Sequence, residues 1–156
     1  MSRQLVPAFR MMVVLTVLTG LIYPGVVTAV CQIIFPWRAN GSLVKADGRA
    51  VGSVLIGQSF VQPGYFHPRP SAAGNGYDPT ASGGSNFGPT SQKLIDRVRA
   101  SIKQFRKENP GYTGPIPSDM VTASASGLDP EISPASAEAQ APRIARALGV
   151  PVGQIR

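Results

Sequence analysis

One cysteine (Cys31) and one histidine (His67) occur in 156 residues. A single Cys excludes an internal disulfide framework and any multi-cysteine zinc site. A single His excludes a two-histidine metal site and leaves His67 as the only imidazole for a serine-type triad. Acid is also scarce, with 8 Asp+Glu against 15 Lys+Arg, and no acidic pair has the spacing of an acid/base couple. No G-x-S-x-G elbow is present, so His67, in the run Tyr65-Phe66-His67-Pro68-Arg69-Pro70, reads as a structural or interface residue rather than a general base. Aromatics are not interleaved with the basic residues, and no nucleic-acid partner is expected despite the net charge of +7.

The apolar residues are concentrated. Between Arg10 and Arg38 lie 27 residues without a charge. At 1.5 Å per residue they make about 40 Å of helix, enough to cross a ~30 Å hydrocarbon core. Thirteen of the residues from Met11 to Phe35 are Leu, Ile, Val or Phe, which offsets the threonines and Pro24. A cleavable signal would have a shorter apolar region, although Val27-Thr28-Ala29 loosely fits a cleavage site and Cys31 a lipoprotein site. Length favours an uncleaved anchor over residues 11–36. Arg3 and Arg10, with no acid nearby, predict a cytoplasmic tail at 1–10 and an extracytoplasmic domain at 37–156. Pro24, within Tyr23-Pro24-Gly25, predicts a kink, and Thr16/Gly20 and Gly25/Ala29 have small-xxx-small spacing. Thr16, Gly20, Pro24 and Gly25 are therefore the expected contacts to a partner membrane protein.

The rest of the chain predicts an α+β arrangement, a small mixed domain behind one transmembrane helix. Strands are expected at Val51–Gly57, at Tyr65–His67 and at Met120–Ala123. Residues 70–89 form a long loop without apolar periodicity. Leu94, Val98, Ile102 and Phe105 mark a helix over about 91–107, whose Lys93, Arg97, Arg99 and Lys103 read as a solvated face. Ser133 and Pro134 start a helix that reaches Leu148 despite Pro142, Gly149 stops it, and one further helical turn begins at about residue 150. The glycine-rich stretch Gly83-Gly84-Ser85-Asn86 before a helix has the form of a weak anion cradle, or of an ordinary ordered loop. A membrane-anchored binding protein with an anion site at Ser82–Thr90 is thus an alternative reading. Asp78 and Asp129, each before Pro, read as turn initiators.

Specific runs carry a resemblance. They are Leu18-Thr19-Gly20-Leu21-Ile22-Tyr23-Pro24 and Phe35-Pro36-Trp37-Arg38-Ala39-Asn40-Gly41-Ser42-Leu43 near the membrane. In the domain they are Gly52–Phe60, Tyr65–Gly74, Gly76-Tyr77-Asp78-Pro79, Ser82–Thr90 and Val121–Ala135. Together they resemble the C subunit of the Kdp potassium-transporting P-type ATPase over nearly the whole chain. The resemblance implies a non-catalytic subunit of a bacterial inner-membrane complex, beside an ATP-hydrolysing subunit, a channel-like potassium-binding subunit and a very small membrane subunit. It implies a role in assembly and as a catalytic chaperone that raises ATP affinity, with ATP and potassium handled by the complex and no cofactor of this chain's own. With the domain outside the cell, any effect on ATP affinity has to pass through the complex. Tyr65, His67, Arg69, Tyr77, Asp78 and Asn86 in the domain loops are the expected partner contacts. Members of the family also continue beyond the position of Arg156.

Overall fold

The computed structural model describes residues 2–155, with the side chains of Ser2 and Arg3 left out. Met1 and Arg156, and the charge of Arg3 that contributes to the orientation argument, lie outside the described residues. The chain divides into two compact units that meet at Ser53/Val54.

The first unit is a long helix followed by a hairpin. Helix α1 (Ser2–Val17) runs through a π-turn (Leu18–Ile22) into α2 (Tyr23–Ile34). The apolar stretch Gln4–Ile34 is long enough to span a bilayer and has none of its hydrophobic window buried in the protein. Pro24 lies in the first turn of α2, where a missing N–H is tolerated. The π-turn just before it is how the helix passes the proline: the N–H of Tyr23 reaches back to Leu18 O, five residues away. Thr19 Oγ1 donates to Leu15 O at 2.7 Å, so its hydroxyl is satisfied without water. After the short α3 (Pro36–Ala39), β1 (Leu43–Ala46) and β2 (Arg49–Ser53) pair antiparallel. Asp47 (φ 50°) and Gly48 (φ 76°) make the tight turn between them. Trp37 Nε1 donates to Leu43 O, tying the hairpin to the end of the span.

The second unit contains α4 (Gln92–Glu108) and α5 (Pro134–Leu148), with loops laid over them. Among the described residues its core is thin. Phe105, Met120 and Ala139 form the buried cluster, with Tyr112 and Ile116 packed against it. Phe105 and Tyr112 meet edge to face, with centroids 6.0 Å apart. Helices plus one two-stranded sheet agree with the α+β expectation.

Three strand expectations are corrected. The strand placed at Val51–Gly57 ends at Ser53, and Gly57 N instead donates to Leu128 O at 2.8 Å. Tyr65–His67 is irregular, because a side chain takes the place of a neighbouring strand. The Gln140 amide accepts from His67 N (2.8 Å) and donates to His67 O (3.1 Å). Met120–Ala123 is not a strand either; a 3₁₀ turn at Ser118–Met120 buries Met120. The helix expectations hold at α4 and α5, with Ser133 as N-cap and Gly149 at φ 69° as C-cap. The last turn is 3₁₀, Val152–Gln154.

The 3₁₀ turn at Ser118–Met120 also secures the start of α5. Asp119 Oδ2 accepts from Ser133 N at 2.9 Å, and Oδ1 accepts from the hydroxyls of Ser136 (2.7 Å) and Ser133 (3.1 Å). Ser133 Oγ in turn accepts from Ser136 N. Burial opposes the charge of Asp119, but these hydrogen bonds outweigh it and hold the carboxyl below its ordinary range. A group depressed in the folded state stabilises above its unfolded pKa and loses that contribution as acid protonates it. Asp119→Ala is expected to cost about 2 kcal/mol at neutral pH, read from thermal unfolding. The parent should lose more stability than the variant below about pH 4. Parallel stability curves for the two proteins across that range would contradict this role.

Candidate functional site

The domain loops converge on a groove of about 530 Å³ beside α4. His67, Arg69 and Tyr77 line it from the loop side, and Gln104 and Glu108 line it from the helix.

Ser71 is the node of the loop side. Its hydroxyl donates to Gly127 O (2.6 Å) and accepts from Ala73 N (3.1 Å) and Tyr77 N (2.8 Å). Gly127 has to be glycine: φ is +68°, and a Cβ there would lie 2.6 Å from Ala73 N and 2.7 Å from Gly83 O. Tyr77, itself at φ 54°, donates its hydroxyl to Arg69 O at 2.9 Å. Arg69 Nη1 reaches Asp129 Oδ2 at 2.6 Å. Burial raises the Tyr77 pKa, Asp129 adds to the rise and Arg69 opposes it, so the phenol stays protonated as a donor.

His67 bridges loop and helix. Its Nδ1 is 2.9 Å from Glu108 Oε2, and its Nε2 is 3.2 Å from Gln62 O. Gln104 also donates to Glu108. Both ring nitrogens thus face acceptors, so the ring tethers the loop to the helix through Glu108 and Gln62 O.

Beneath the loop, Arg143 is 9% exposed. It donates to the carbonyls of Pro63 and Tyr65, and to Asn109 Oδ1 and Gln140 Oε1. Burial lowers its pKa and Glu108 counteracts this. Sequence reasoning missed Gln140 and Arg143. The available signal was two long polar residues on the helix face that also carries Ala139 and Ile144.

Of the six loop residues expected to meet a partner, His67, Arg69 and Tyr77 share the groove. Tyr65 is exposed and tilts against Phe60, with centroids 5.7 Å apart. Asp78 caps its own turn by accepting from Thr80 Oγ1 and Thr80 N, which lower its pKa. Asn86 is exposed in a left-handed conformation (φ 49°). The glycine stretch is used by the backbone. Gly83 N donates to Ser126 O, and a Cβ on Gly84 would lie 2.9 Å from Ala125 O. Close chain packing therefore accounts for Gly84, whereas a Cβ on Gly83 would meet nothing within 4 Å. Arg97, expected on a solvated face, donates to Ser71 O at 2.8 Å and ties α4 to the node. In the first unit, a Cβ on Gly20 or Gly25 would meet nothing within 4 Å, so both present open backbone.

The π-turn changes how those small residues are arranged. In an uninterrupted α-helix, Thr16/Gly20 and Gly25/Ala29 would occupy opposite sides. An i→i−5 turn holds one extra residue and rotates the downstream helix by about 100°. That brings the two pairs onto neighbouring faces.

Comparison with known proteins bears on both units. A family model described as KdpC, K+-transporting ATPase, c chain, matches residues 5–156. A potassium-transporting ATPase KdpC subunit from Myxococcus xanthus is 58% identical over 149 residues, covering 95% of this chain and 71% of the relative. One from Koribacter versatilis is 51% identical over 156 residues, covering 100% and 80%. One from Caulobacter vibrioides is 57% identical over 152 residues, covering 97% and 76%.

Proposed function

The chain belongs to the KdpC family, the c chain of K+-transporting ATPases, and from that premise we propose that it is the non-catalytic accessory subunit of an ATP-driven potassium uptake complex. The observation that carries this reading is that one family match runs through both the apolar helix and the second unit. A tether and a hydrogen-bonded loop domain are inherited together, as an assembly subunit requires.

In this reading α1 and α2 cross the bacterial inner membrane once, with the N-terminus in the cytoplasm. Arg10 flanks the inner end, and residues from about 37 onward are extracytoplasmic. The small-residue faces of the helix contact a channel-like potassium-binding subunit. The His67–Arg69–Tyr77 groove, with Tyr65, Asp78 and Asn86, contacts its outer surface. The chain stabilises the complex and raises the ATP affinity of the hydrolysing subunit. It does so by coupling through the assembly, because ATP is absent from the side where the domain lies. His67, Arg69 and Tyr77 are all held in place by hydrogen bonds, which suits a preorganised docking surface.

The test is co-purification. Tagged chain extracted from membranes should bring down a P-type ATPase subunit, and protease added to sealed spheroplasts should digest the second unit. Isolation of the chain alone contradicts the assembly role; a protected domain contradicts the orientation.

A further inference from the structure

Charge in the second unit is segregated. Helix α4 carries Lys93, Arg97, Arg99, Lys103, Arg106 and Lys107 against only Asp96 and Glu108, a formal +4. The rest of the described unit has Arg69, Arg143 and Arg146 against Asp78, Asp119, Asp129, Glu131 and Glu138, a formal −2. Of the α4 cations, Arg97 is used internally and Arg99 lies 3.8 Å from Asp96. Lys93, Lys103, Arg106 and Lys107 are exposed, with no carboxylate within 4.0 Å among the described residues. Like charges spaced at i, i+4, as at Lys103 and Lys107, repel along a helix; the helix dipole favours Arg106 and Lys107 in the last turn, but no carboxylate among the described residues pairs with the four exposed cations.

We propose that this basic face of α4 rests on the anionic headgroups of the bilayer to which the chain's own helix tethers it. Two features favour a lipid surface over a protein one. The cations are long, flexible side chains without a buried aromatic or aliphatic anchor among them, so they match diffuse negative charge better than a shaped epitope. The apolar span Gln4–Ile34 also confines the unit to the neighbourhood of a membrane, which raises the effective concentration of that surface without any docking site. Each Lys or Arg then adds attraction that decays within a Debye length.

The full chain is reconstituted, without other subunits, in vesicles of phosphatidylcholine alone or of phosphatidylcholine with phosphatidylglycerol. Lysines are acetylated briefly with a membrane-impermeant reagent and read by mass spectrometry. Lys93, Lys103 and Lys107 should react about threefold or more slowly in the anionic vesicles. The difference should vanish near 1 M salt, where the Debye length is ~3 Å. A Glu131→Lys variant supplies a reporter on the acidic remainder that should react equally in both lipids. In a Lys103→Gln/Lys107→Gln variant, the protection of Lys93 should weaken. Equal rates in both lipids overturn the proposal. So does protection that appears only in an assembled transport complex whatever the lipid, which would assign the face to an acidic protein surface. Because the vesicle arms contain no partner subunit, their outcome is independent of the co-purification that tests the accessory-subunit reading.

Discussion

Arg143→Met should remove most of the second unit's stability. The substitution keeps an unbranched, helix-compatible side chain but removes every donor that the guanidinium supplies. The carbonyls of Pro63 and Tyr65 and Oδ1 of Asn109 each lose the hydrogen bond it made. Asn109 is itself 4% exposed, so water cannot simply replace what is lost there. Each acceptor stranded out of water costs ~1–3 kcal/mol, giving about 3–5 kcal/mol in total. For a unit of this size 1 kcal/mol shifts the melting temperature by ~4–8 °C, so a fall of roughly 15–30 °C is expected. Near-UV dichroism of the tyrosines in the purified full chain measures it. Arg146→Met, one helical turn away and exposed, should stay within about 0.5 kcal/mol of the parent. A melting temperature for Arg143→Met that matches Arg146→Met would show that the buried arginine does not hold the loop.

The size of that effect reflects how little apolar packing the unit has. Among the described residues, the larger buried apolar side chains are Phe105, Met120, Leu128 and Ile144, and the others are alanines. Side-chain hydrogen bonds to backbone do what strand ladders do elsewhere. This is also why the fold is legible from sequence only in part. Helix α4 can be read from Leu94, Val98, Ile102 and Phe105, and α5 from Ser133-Pro134 and Gly149, because periodicity and caps are local signals. The strand expected at Tyr65–His67 fails because the local pattern is extended but its partner is the amide of Gln140, 73 residues away. Nothing in the pattern near His67 signals such a partner. The hairpin escapes a pattern reading although Asp47-Gly48 is a strong turn signal, since Val44 and Lys45 flank an irregularity in register and the strands do not alternate cleanly. For the groove, His67, Arg69 and Tyr77 are visible in the sequence, but Ser71, Glu108, Gln140 and Arg143 require the fold.

In the membrane span the largest expected effect comes from Gly25→Leu. The straight-helix reading of Thr16/Gly20 and Gly25/Ala29 gives two separate surfaces, each too small to hold a partner helix firmly. The π-turn at Leu18–Ile22 merges them into one broad face of small residues, and both glycines leave their backbone open to close approach. A leucine at residue 25 holds a neighbouring helix away along that whole face. In lipid there is no hydrophobic gain to compensate, since the displaced contact is replaced only by acyl chains. Loss of about 1.4 kcal/mol of association corresponds to a tenfold drop, so the yield of co-purified partner subunit should fall about tenfold or more. Membrane integration should be unchanged, because leucine inserts at least as readily as glycine. Val27→Phe adds the same number of carbons on the side away from the merged face and should leave the yield near that of the parent. If both variants retain their partner equally, the small-residue face is not the contact, and the π-turn serves only to carry the helix past Pro24.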